Sequence, residues 1–188
     1  MKLVSSLALG SLTLLAACAG APLVVTSTGK PFDQAGLPAA VQAPSGNKVA
    51  LELVGKGDAI YECQTRGVGT ASISHAWGFV RAEAGLFDRA GKQVGRYFAP
   101  VATWDLTAGA NVTAKQLATA PTAPGQLPLQ LLKADTATGS LGTFNGVTHI
   151  QRVNIQGGIT PTAKCDWLND RQRINVPYQA DYIFYKPM

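Results

Sequence analysis

The chain has 188 residues, 46% of them hydrophobic and 14% charged, with a formal net charge of +5 at neutral pH. This length fits one domain with a substantial core. The basic residues are scattered and form no dense run, whereas nucleic-acid binding requires several phosphates to be neutralised together. We therefore expect no nucleic-acid partner.

The first 17 residues have the pattern of a lipoprotein signal peptide. Lys2 supplies one cation, residues 3–15 form an apolar stretch, and small residues precede Cys18. A membrane-spanning helix needs about 20 apolar residues, whereas a secretory leader needs about 7 to 15 and ends in small residues. The cysteine at the cleavage position resembles the motif that lipoprotein signal peptidase reads. The alternative is an ordinary secretory leader that is cut near Ala19 or Ala21, and on either interpretation the mature protein leaves the cytoplasm.

Cys18 is accordingly the expected lipidation site and the contact with the membrane. Each buried methylene of an acyl chain contributes about 0.8 kcal/mol to membrane binding, so a multiply acylated N-terminus needs no transmembrane helix. Ala19 is not the aspartate that favours retention at the inner membrane. We expect an outer-membrane lipoprotein of the bacterial cell envelope that faces the periplasm or the cell surface.

Residues 18–45 form the second region, an expected tether or arm between the lipid and a β domain at residues 46–188. This region is rich in proline and glycine and has little periodic pattern. Such segments form extended spacers. The alternative is that Phe32 and Leu37 dock onto the domain as an N-terminal arm.

Two cysteines remain in the β domain, Cys63 and Cys165. In a chain bound for an oxidising compartment they predict a disulfide. A closed loop of about 100 residues stabilises the fold by roughly 4 to 5 kcal/mol in the chain-entropy model. A redox or metal-binding thiol pair is the alternative, but the chain has no Cys-x-x-Cys motif and no nearby histidine cluster.

The β domain shows the two-residue alternation of half-buried strands. Turn signals at residues 55–58 and 88–91 predict two hairpins, and a helix over residues 114–120 is only weakly indicated. Short strands with such spacing favour an all-β, single-domain β-sandwich or barrel-like fold stapled by one disulfide. The predicted strands are residues 48–54, 59–65, 84–87, 93–98, 112–118, 129–134, 147–154 and 180–185.

Short strings of residues occur along the domain in a recognisable order. They are Leu37-Pro38-Ala39-Ala40, Ala43-Pro44-Ser45-Gly46, Tyr61-Glu62-Cys63, Trp77, residues 84–88 with Gly91, Thr103-Trp104-Asp105, Ile150-Gln151-Arg152-Val153-Asn154, Gly157-Gly158 with Pro161, Cys165, and Tyr178-Gln179-Ala180-Asp181-Tyr182-Ile183-Phe184-Tyr185. This order resembles the family called domain of unknown function 3455 and covers nearly the whole mature chain. The resemblance implies a secreted, mostly β domain with its two cysteines paired, and it implies no established activity.

The chain departs from that family at residues 95–98. Relatives tend to have Gly-x-His-Tyr there, whereas this chain has Gly95-Arg96-Tyr97-Phe98. A mechanism that requires an imidazole at this point is therefore not supported.

Catalytic motifs are sparse. The chain has no Gly-x-Ser-x-Gly, no His-Glu-x-x-His and no P-loop, and its two histidines, His75 and His149, lie on different predicted strands. Asp105 with Asp88 or Glu83 would be a carboxylate pair of the kind that cleaves glycosidic bonds, but the spacing along the chain does not show their separation. We assign no catalytic residues and expect no cofactor and no metal site.

Aromatic and polar residues offer one candidate ligand-binding group. Aromatic faces cover sugars or apolar ligands, and a guanidinium holds a carboxylate or phosphate. In the alternative interpretation the aromatic residues fill the core, and Arg152 bonds backbone carbonyls or pairs with Asp181. The candidates are Trp77, Tyr97, Trp104, Asp105, Arg152 and Asn154.

These residues lead to three hypotheses for function. The first is a noncatalytic β domain that binds an envelope glycan or a protein partner. The second is a hydrolase that acts on cell-envelope or extracellular polymer through acidic residues near Trp104. The third is a purely structural envelope protein, which predicts that Trp77 and Trp104 are both buried.

Overall fold

The regular structure is almost entirely β in the computed structural model, which describes residues 30–139 and 142–188. The predicted signal peptide and Cys18 lie outside these residues. A 3₁₀ turn at Ala39–Val41 precedes the strands. No helix in the two described ranges is long and apolar enough to cross a membrane. The strands are β1 (Asn47–Arg66), β2 (Ser74–Phe87), β3 (Gln93–Phe98), β4 (Ala102–Leu106), β5 (Ala110–Ala120), β6 (Leu129–Ala134), β7 (Thr138–Gly139), β8 (His149–Gly157) and β9 (Arg173–Pro187).

The strands form one antiparallel sheet that closes on itself. Their order is β4-β3-β2-β1-β9-β8-β6-β5-β7, and β4 also pairs with β5, which closes the ring, while the short β7 pairs only with β5. Closure leaves no long unpaired strand edge in the ring. Of the two architectures expected from the sequence, the structure has the barrel-like one.

The hairpin predicted at residues 55–58 is wrong. β1 runs through this segment as a single strand of 20 residues and pairs with β2 on one side and β9 on the other. Neither Gly55 nor Gly57 has the positive φ that a tight hairpin turn requires. A Cβ on Gly55 would collide with the ring of Tyr182, and a Cβ on Gly57 would collide with the backbone of Glu83. These glycines therefore allow close packing within the ring.

The turn predicted at residues 88–91 is confirmed. Asp88 N–H donates to the Lys92 carbonyl at 2.9 Å, Gly91 N–H donates to the Asp88 carbonyl at 3.0 Å, and Gly91 has φ +85°. The segment 114–120, for which a helix was weakly indicated, lies within β5. Threonine and alternating burial favour an extended conformation there.

Aromatic side chains fill the interior of the ring. Trp104 is fully buried, and its ring lies 5.1 Å from that of Tyr97, 5.4 Å from Tyr182 and 5.7 Å from Phe184, measured between centroids. Aromatic pairs at such distances add to the stabilisation that burial of their area provides. Among the residues that the structure describes, the Trp104 indole Nε1 has no hydrogen-bond partner, so this side chain serves mainly to fill volume.

A second core lies on the outside of the ring, beneath the segment that precedes β1. Val41 and Ala43 are buried there against β5, β6, β8 and β9, and Phe32 and Leu37 pack on the same cluster. Gln151 is fully buried beneath them. Its amide donates to the Val41 carbonyl at 2.6 Å and to Gln34 Oε1 at 2.9 Å. Residues 30–45 therefore dock as an N-terminal arm, which is one of the two alternatives that the sequence left open.

The expected disulfide is confirmed. Cys63 and Cys165 are bonded across a sequence separation of 102 residues. The bond joins the far end of β1 to the connection between β8 and β9. It therefore fixes a long connection to the strand on which the rest of the ring is built.

Candidate functional site

The N-terminal arm covers only part of the outside of the ring. Within residues 30–139 and 142–188, no segment covers the outer surface of β3, β2, β1, β9 and β8 beyond the arm, and we call this surface the open face. It carries two neighbouring grooves, with volumes of about 620 Å³ and 460 Å³. The first groove is lined by Gly57, Asp58, Glu83, Ala84, Gly85, Gln93, Arg96, Tyr97 and Phe98. The second is lined by Val54, Arg89, Asn154, Ile155, Gln156, Gln179 and Asp181.

The first groove brings two carboxylates to the same place. Asp58 and Glu83 are direct partners in the pairing of β1 with β2. Like charges directly opposite each other in a sheet are destabilising, and Arg81, at 3.1 Å from Glu83, offsets only part of this repulsion. The two carboxylates thus present several acceptor oxygens to the groove.

The same groove has an aromatic and cationic wall. Phe98 is 37% exposed, and the guanidinium carbon of Arg96 lies 5.6 Å from the centre of its ring. Arg96 also holds Asp105 of the adjacent strand through contacts of 2.9 and 3.0 Å. Asp105 therefore orients the arginine, and the exposed ring of Phe98 offers a flat apolar surface beside it.

The second groove is built around a network of charged groups. Arg89 donates to Glu52 at 2.7 Å and to Asp181 at 3.0 Å, and Asn154 Nδ2 donates to the same Asp181 oxygen at 2.9 Å. Burial lowers the pKa of Arg89, but its hydrogen bonds to the two carboxylates outweigh this effect and raise the pKa overall. Glu52 also accepts a hydrogen bond from the backbone of Phe32. The network consequently joins the N-terminal arm to the edge of the groove.

Backbone irregularity places Asn154 in this groove. The pairing of β8 with β9 shifts register between Val153 and Gln156, and Asn154 has φ +49°. Non-glycine residues adopt a positive φ uncommonly, although asparagine does so more readily than most. The bulge turns the side chain of Asn154 toward Asp181, which lies on the outer face.

Lys56 of β1 lies between the two grooves. The ammonium of Lys56 lies 5.5 Å above the centre of the Phe87 ring. Lys56 pairs with Gly85 of the first groove on one side and with Gln179 of the second groove on the other. The five strands of the open face are spaced at about 4.8 Å, so the two grooves together extend roughly 20 Å across the sheet.

The structure places three of the six sequence candidates inside the ring. Trp104 and Tyr97 belong to the interior core, and Arg152 is buried beside them. Arg152 donates to the Pro128 carbonyl at 2.9 Å, and its Nε has no hydrogen-bond partner in the described part of the chain. Arg152 does not pair with Asp181, because Asp181 lies on the opposite face of the sheet and pairs with Arg89.

Buried tyrosines surround Arg152. Burial raises the pKa of Tyr97 and of Tyr178, and it raises that of Tyr182 well above the ordinary value of 10, while the positive charge of Arg152 acts in the opposite direction on all three. The hydroxyls of Tyr178 and Tyr182 lie 3.2 Å apart. These tyrosines therefore remain protonated and provide the polar surroundings of the buried guanidinium.

The other three candidates are separated from one another. Trp77 is half-buried, packs against the interior core, and donates from Nε1 to the Ala163 carbonyl at 2.7 Å. Asp105 reaches the first groove only through Arg96, and Asn154 lines the second groove. The six residues thus do not converge on one cleft, although Tyr97, Asp105 and Asn154 border the open face.

The sequence pattern does not identify most of the open face as a site. Its members point outward because they alternate with buried residues of the same strands, so the two-residue period was an available signal. The period did not show which outward positions the arm would cover. The missed residues are Asp58, Arg89, Gln93, Arg96, Phe98, Gln156, Gln179 and Asp181.

The histidines and the possible metal ligands do not form a site. His149 Nδ1 lies 3.0 Å from Thr148 Oγ1, and burial together with the charge of Lys133 lowers the pKa of His149. Within residues 30–139 and 142–188 no three His, Cys, Asp or Glu side chains are placed to hold a metal ion together.

Comparison with known proteins gives a family and no activity. The family model described as protein of unknown function (DUF3455) matches residues 44–186, which include β1 to β8 and all of β9 except its last residue. Neither a search of curated proteins nor a search of solved structures finds a match to this chain.

Proposed function

The chain belongs to the DUF3455 family of proteins of unknown function, and we propose that it is a noncatalytic domain that binds an envelope glycan on its open face. The observation that carries the proposal is the chemistry of the two adjoining grooves. Carboxylates, amides and guanidinium groups line the two grooves, and the exposed ring of Phe98 lies in the first of them. Sugars offer many hydroxyls and flat apolar ring faces, which such groups bind by hydrogen bonding and stacking.

The shape of the open face favours an oligosaccharide over a small compact ligand. The grooves are open and extend roughly 20 Å across five strands at the usual strand spacing. Small-molecule sites are mostly concave, apolar and enclosed, whereas these grooves carry polar groups along their length. Several sugar units would lie side by side, with Phe98 under one of them and with Gln179 and Asn154 at the other end.

We further propose that the domain is held at the outer membrane by acyl chains on Cys18. The support is the leader pattern of residues 1–17 and the small residues before the cysteine. Metabolic labelling with a palmitate analogue tests this anchor. The chain is expected to incorporate the label, and Cys18→Ser is expected to abolish incorporation.

A titration with glycan fragments tests the binding proposal. Soluble peptidoglycan fragments and lipopolysaccharide core oligosaccharide are the probes, and isothermal titration calorimetry gives the affinity. Phe98→Ala is expected to weaken binding about tenfold, because loss of one stacking contact is worth roughly 1.4 kcal/mol. Leu117→Ala is the matched control, since Leu117 is 53% exposed on β5, which lies across the ring from β1. Equal affinities for both variants would refute the site.

One observation favours a hydrolase as a second candidate. The pairing of Asp58 with Glu83 places two carboxylates side by side in the first groove, and glycosidases use a pair of carboxylates. The release of new reducing ends from the same fragments would favour this function, and Glu83→Gln would then abolish release. Binding without release favours the noncatalytic domain.

A further inference from the structure

Large apolar side chains are exposed at one end of the ring, away from the open face. Two connections meet there, residues 67–73 between β1 and β2 and residues 158–172 between β8 and β9, and we call this end the tip. Val68 and Ile73 are 77% and 64% exposed, and Trp167 and Leu168 are 74% and 69% exposed. Val68 shares a cavity of about 440 Å³ with Asp170 and Arg171, so the two connections adjoin. Soluble surfaces rarely concentrate large apolar residues without an interaction that uses them.

The connection that carries the exposed tryptophan is firmly braced. Cys165 ties it to Cys63, and Arg171 N–H donates to the Cys63 carbonyl at 2.8 Å. Asp170 accepts hydrogen bonds from the backbone and hydroxyl of Thr65 at 3.1 and 2.9 Å. Asn169 Nδ2 donates to the Lys164 carbonyl at 2.6 Å. A braced loop loses little conformational entropy on binding, so Trp167 and Leu168 are presented in a fixed position.

The charges of the tip are mostly paired except for two arginines. Lys164 pairs with Asp166 at 2.7 Å, and Arg173 pairs with Glu62 at 2.8 Å. The third acid, Asp170, accepts hydrogen bonds from the backbone and hydroxyl of Thr65. Arg66 and Arg171 are both exposed, and neither makes an ion pair in the described part of the chain.

We propose that the tip docks onto an anionic lipid surface, with Trp167 and Leu168 at the level of the headgroups and with Arg66 and Arg171 on lipid phosphates. Tryptophan favours the membrane interface because one end of its side chain is apolar and the other is polar. Basic residues beside it are attracted by anionic headgroups. An indole and a leucine flanked by unpaired arginines match this interface in both chemistry and charge.

The geometry of the chain is compatible with this orientation. The arm reaches β1 at Glu52, and the tip begins fourteen residues farther along that strand, at Arg66. At 3.3 Å per residue, Glu52 and Arg66 are at most about 46 Å apart. The twelve residues from Cys18 to Lys30 reach at most about 43 Å, a length comparable to this separation. A lipid on Cys18 is therefore compatible with contact between the tip and the same membrane. Docking at the tip does not require that lipid, and it leaves the open face on the side wall uncovered.

Quenching of tryptophan emission by brominated lipids tests the proposal. Residues 18–188 with Cys18→Ser, which carry neither the apolar leader nor the acylation site, are mixed with vesicles of bromolipid phosphatidylcholine that contain phosphatidylglycerol. Trp104 is fully buried and Trp77 is half-buried, so the exposed Trp167 is expected to supply the quenched component. Trp167→Phe is expected to remove that component, which assigns the signal.

Variants separate the lipid contact from nonspecific association. Leu168→Asp is expected to weaken vesicle binding, measured by quenching, about tenfold, since a charge replaces apolar area at the interface. Arg66→Gln with Arg171→Gln is expected to remove the preference for phosphatidylglycerol vesicles over phosphatidylcholine alone. Met188→Asp is the matched control, because Met188 is 80% exposed beside Gly46 at the opposite end of β1. Its quenching is expected to equal that of the Cys18→Ser chain.

Three results would overturn the proposal. The first is that vesicles of neither composition quench the tryptophan emission. The second is that quenching is unchanged in Leu168→Asp. The third is that Met188→Asp reduces quenching as strongly as Leu168→Asp does. If lipids do not quench Trp167 and its side chain is shielded from solvent only when a protein partner is added, the tip would be assigned to protein binding instead.

Discussion

Removal of the disulfide by Cys63→Ala with Cys165→Ala is expected to lower the free energy of unfolding by about 4 to 5 kcal/mol. The bond spans 102 residues, and the chain-entropy model assigns about 4.7 kcal/mol to a closed loop of about 100 residues. Alanine is the suitable replacement because Cys63 is fully buried. A serine there would add the separate cost of burying a hydroxyl.

Urea denaturation of the oxidised chain and of the double variant measures this loss. The midpoint of thermal unfolding is expected to fall by roughly 10 to 20 °C, because 1 kcal/mol shifts the midpoint by about 2 to 4 °C in a domain of this size. Reduction of the unmodified chain is expected to reproduce the effect of the substitutions. A loss of unfolding free energy below about 1 kcal/mol, with an unchanged denaturant slope, would contradict this expectation. The unfolded chain would then gain little conformational freedom from the broken bond.

Two further changes test the arm and the buried tyrosines. Gln151→Ala is expected to lower the free energy of unfolding by about 2 to 4 kcal/mol, because it removes hydrogen bonds to the arm and from Tyr185. Amide hydrogen exchange in residues 32–43 is expected to become faster. Unchanged exchange would contradict the role of Gln151. Above pH 10 the unfolded chain releases tyrosine protons that burial retains in the folded chain, so stability is expected to fall by about 1.4 kcal/mol per pH unit for each such tyrosine. Urea titrations at pH 9 and pH 11 measure this fall, and equal stabilities would contradict it. The tyrosines whose pKa burial raises most are Tyr178, Tyr182 and Tyr185.

Much of the strand content followed from the two-residue alternation. The predicted strand at 129–134 has the same bounds as β6, and the predicted turn at 88–91 joins β2 to β3. The error at residues 55–58 has a clear physical origin. Two glycines near lysine and aspartate favour a turn locally, but here they admit the ring of Tyr182 and a neighbouring backbone.

The site was harder to predict because it depends on strand register and on what covers the sheet. Alternation separates the two faces of each strand but does not show which face points into the ring. In the folded ring, Arg152 points inward and Asp181 points outward. Asp58 and Glu83 are 25 positions apart in the chain, and only the register of β1 with β2 makes them direct partners. The arm's position, fixed by long-range contacts with Gln151, decides which outer residues remain open.

Chemical-shift perturbation of the isotope-labelled chain locates the surface at which a glycan binds. Soluble peptidoglycan fragments and lipopolysaccharide core oligosaccharide are titrated in turn while the backbone amides are followed. Glycan binding on the open face predicts saturable shifts that are confined to the two grooves and include the amides of Phe98 and Gln179, with no change at Leu117 on β5. Shifts that are absent with every fragment, or that fall on β5 and β6 instead, would contradict it.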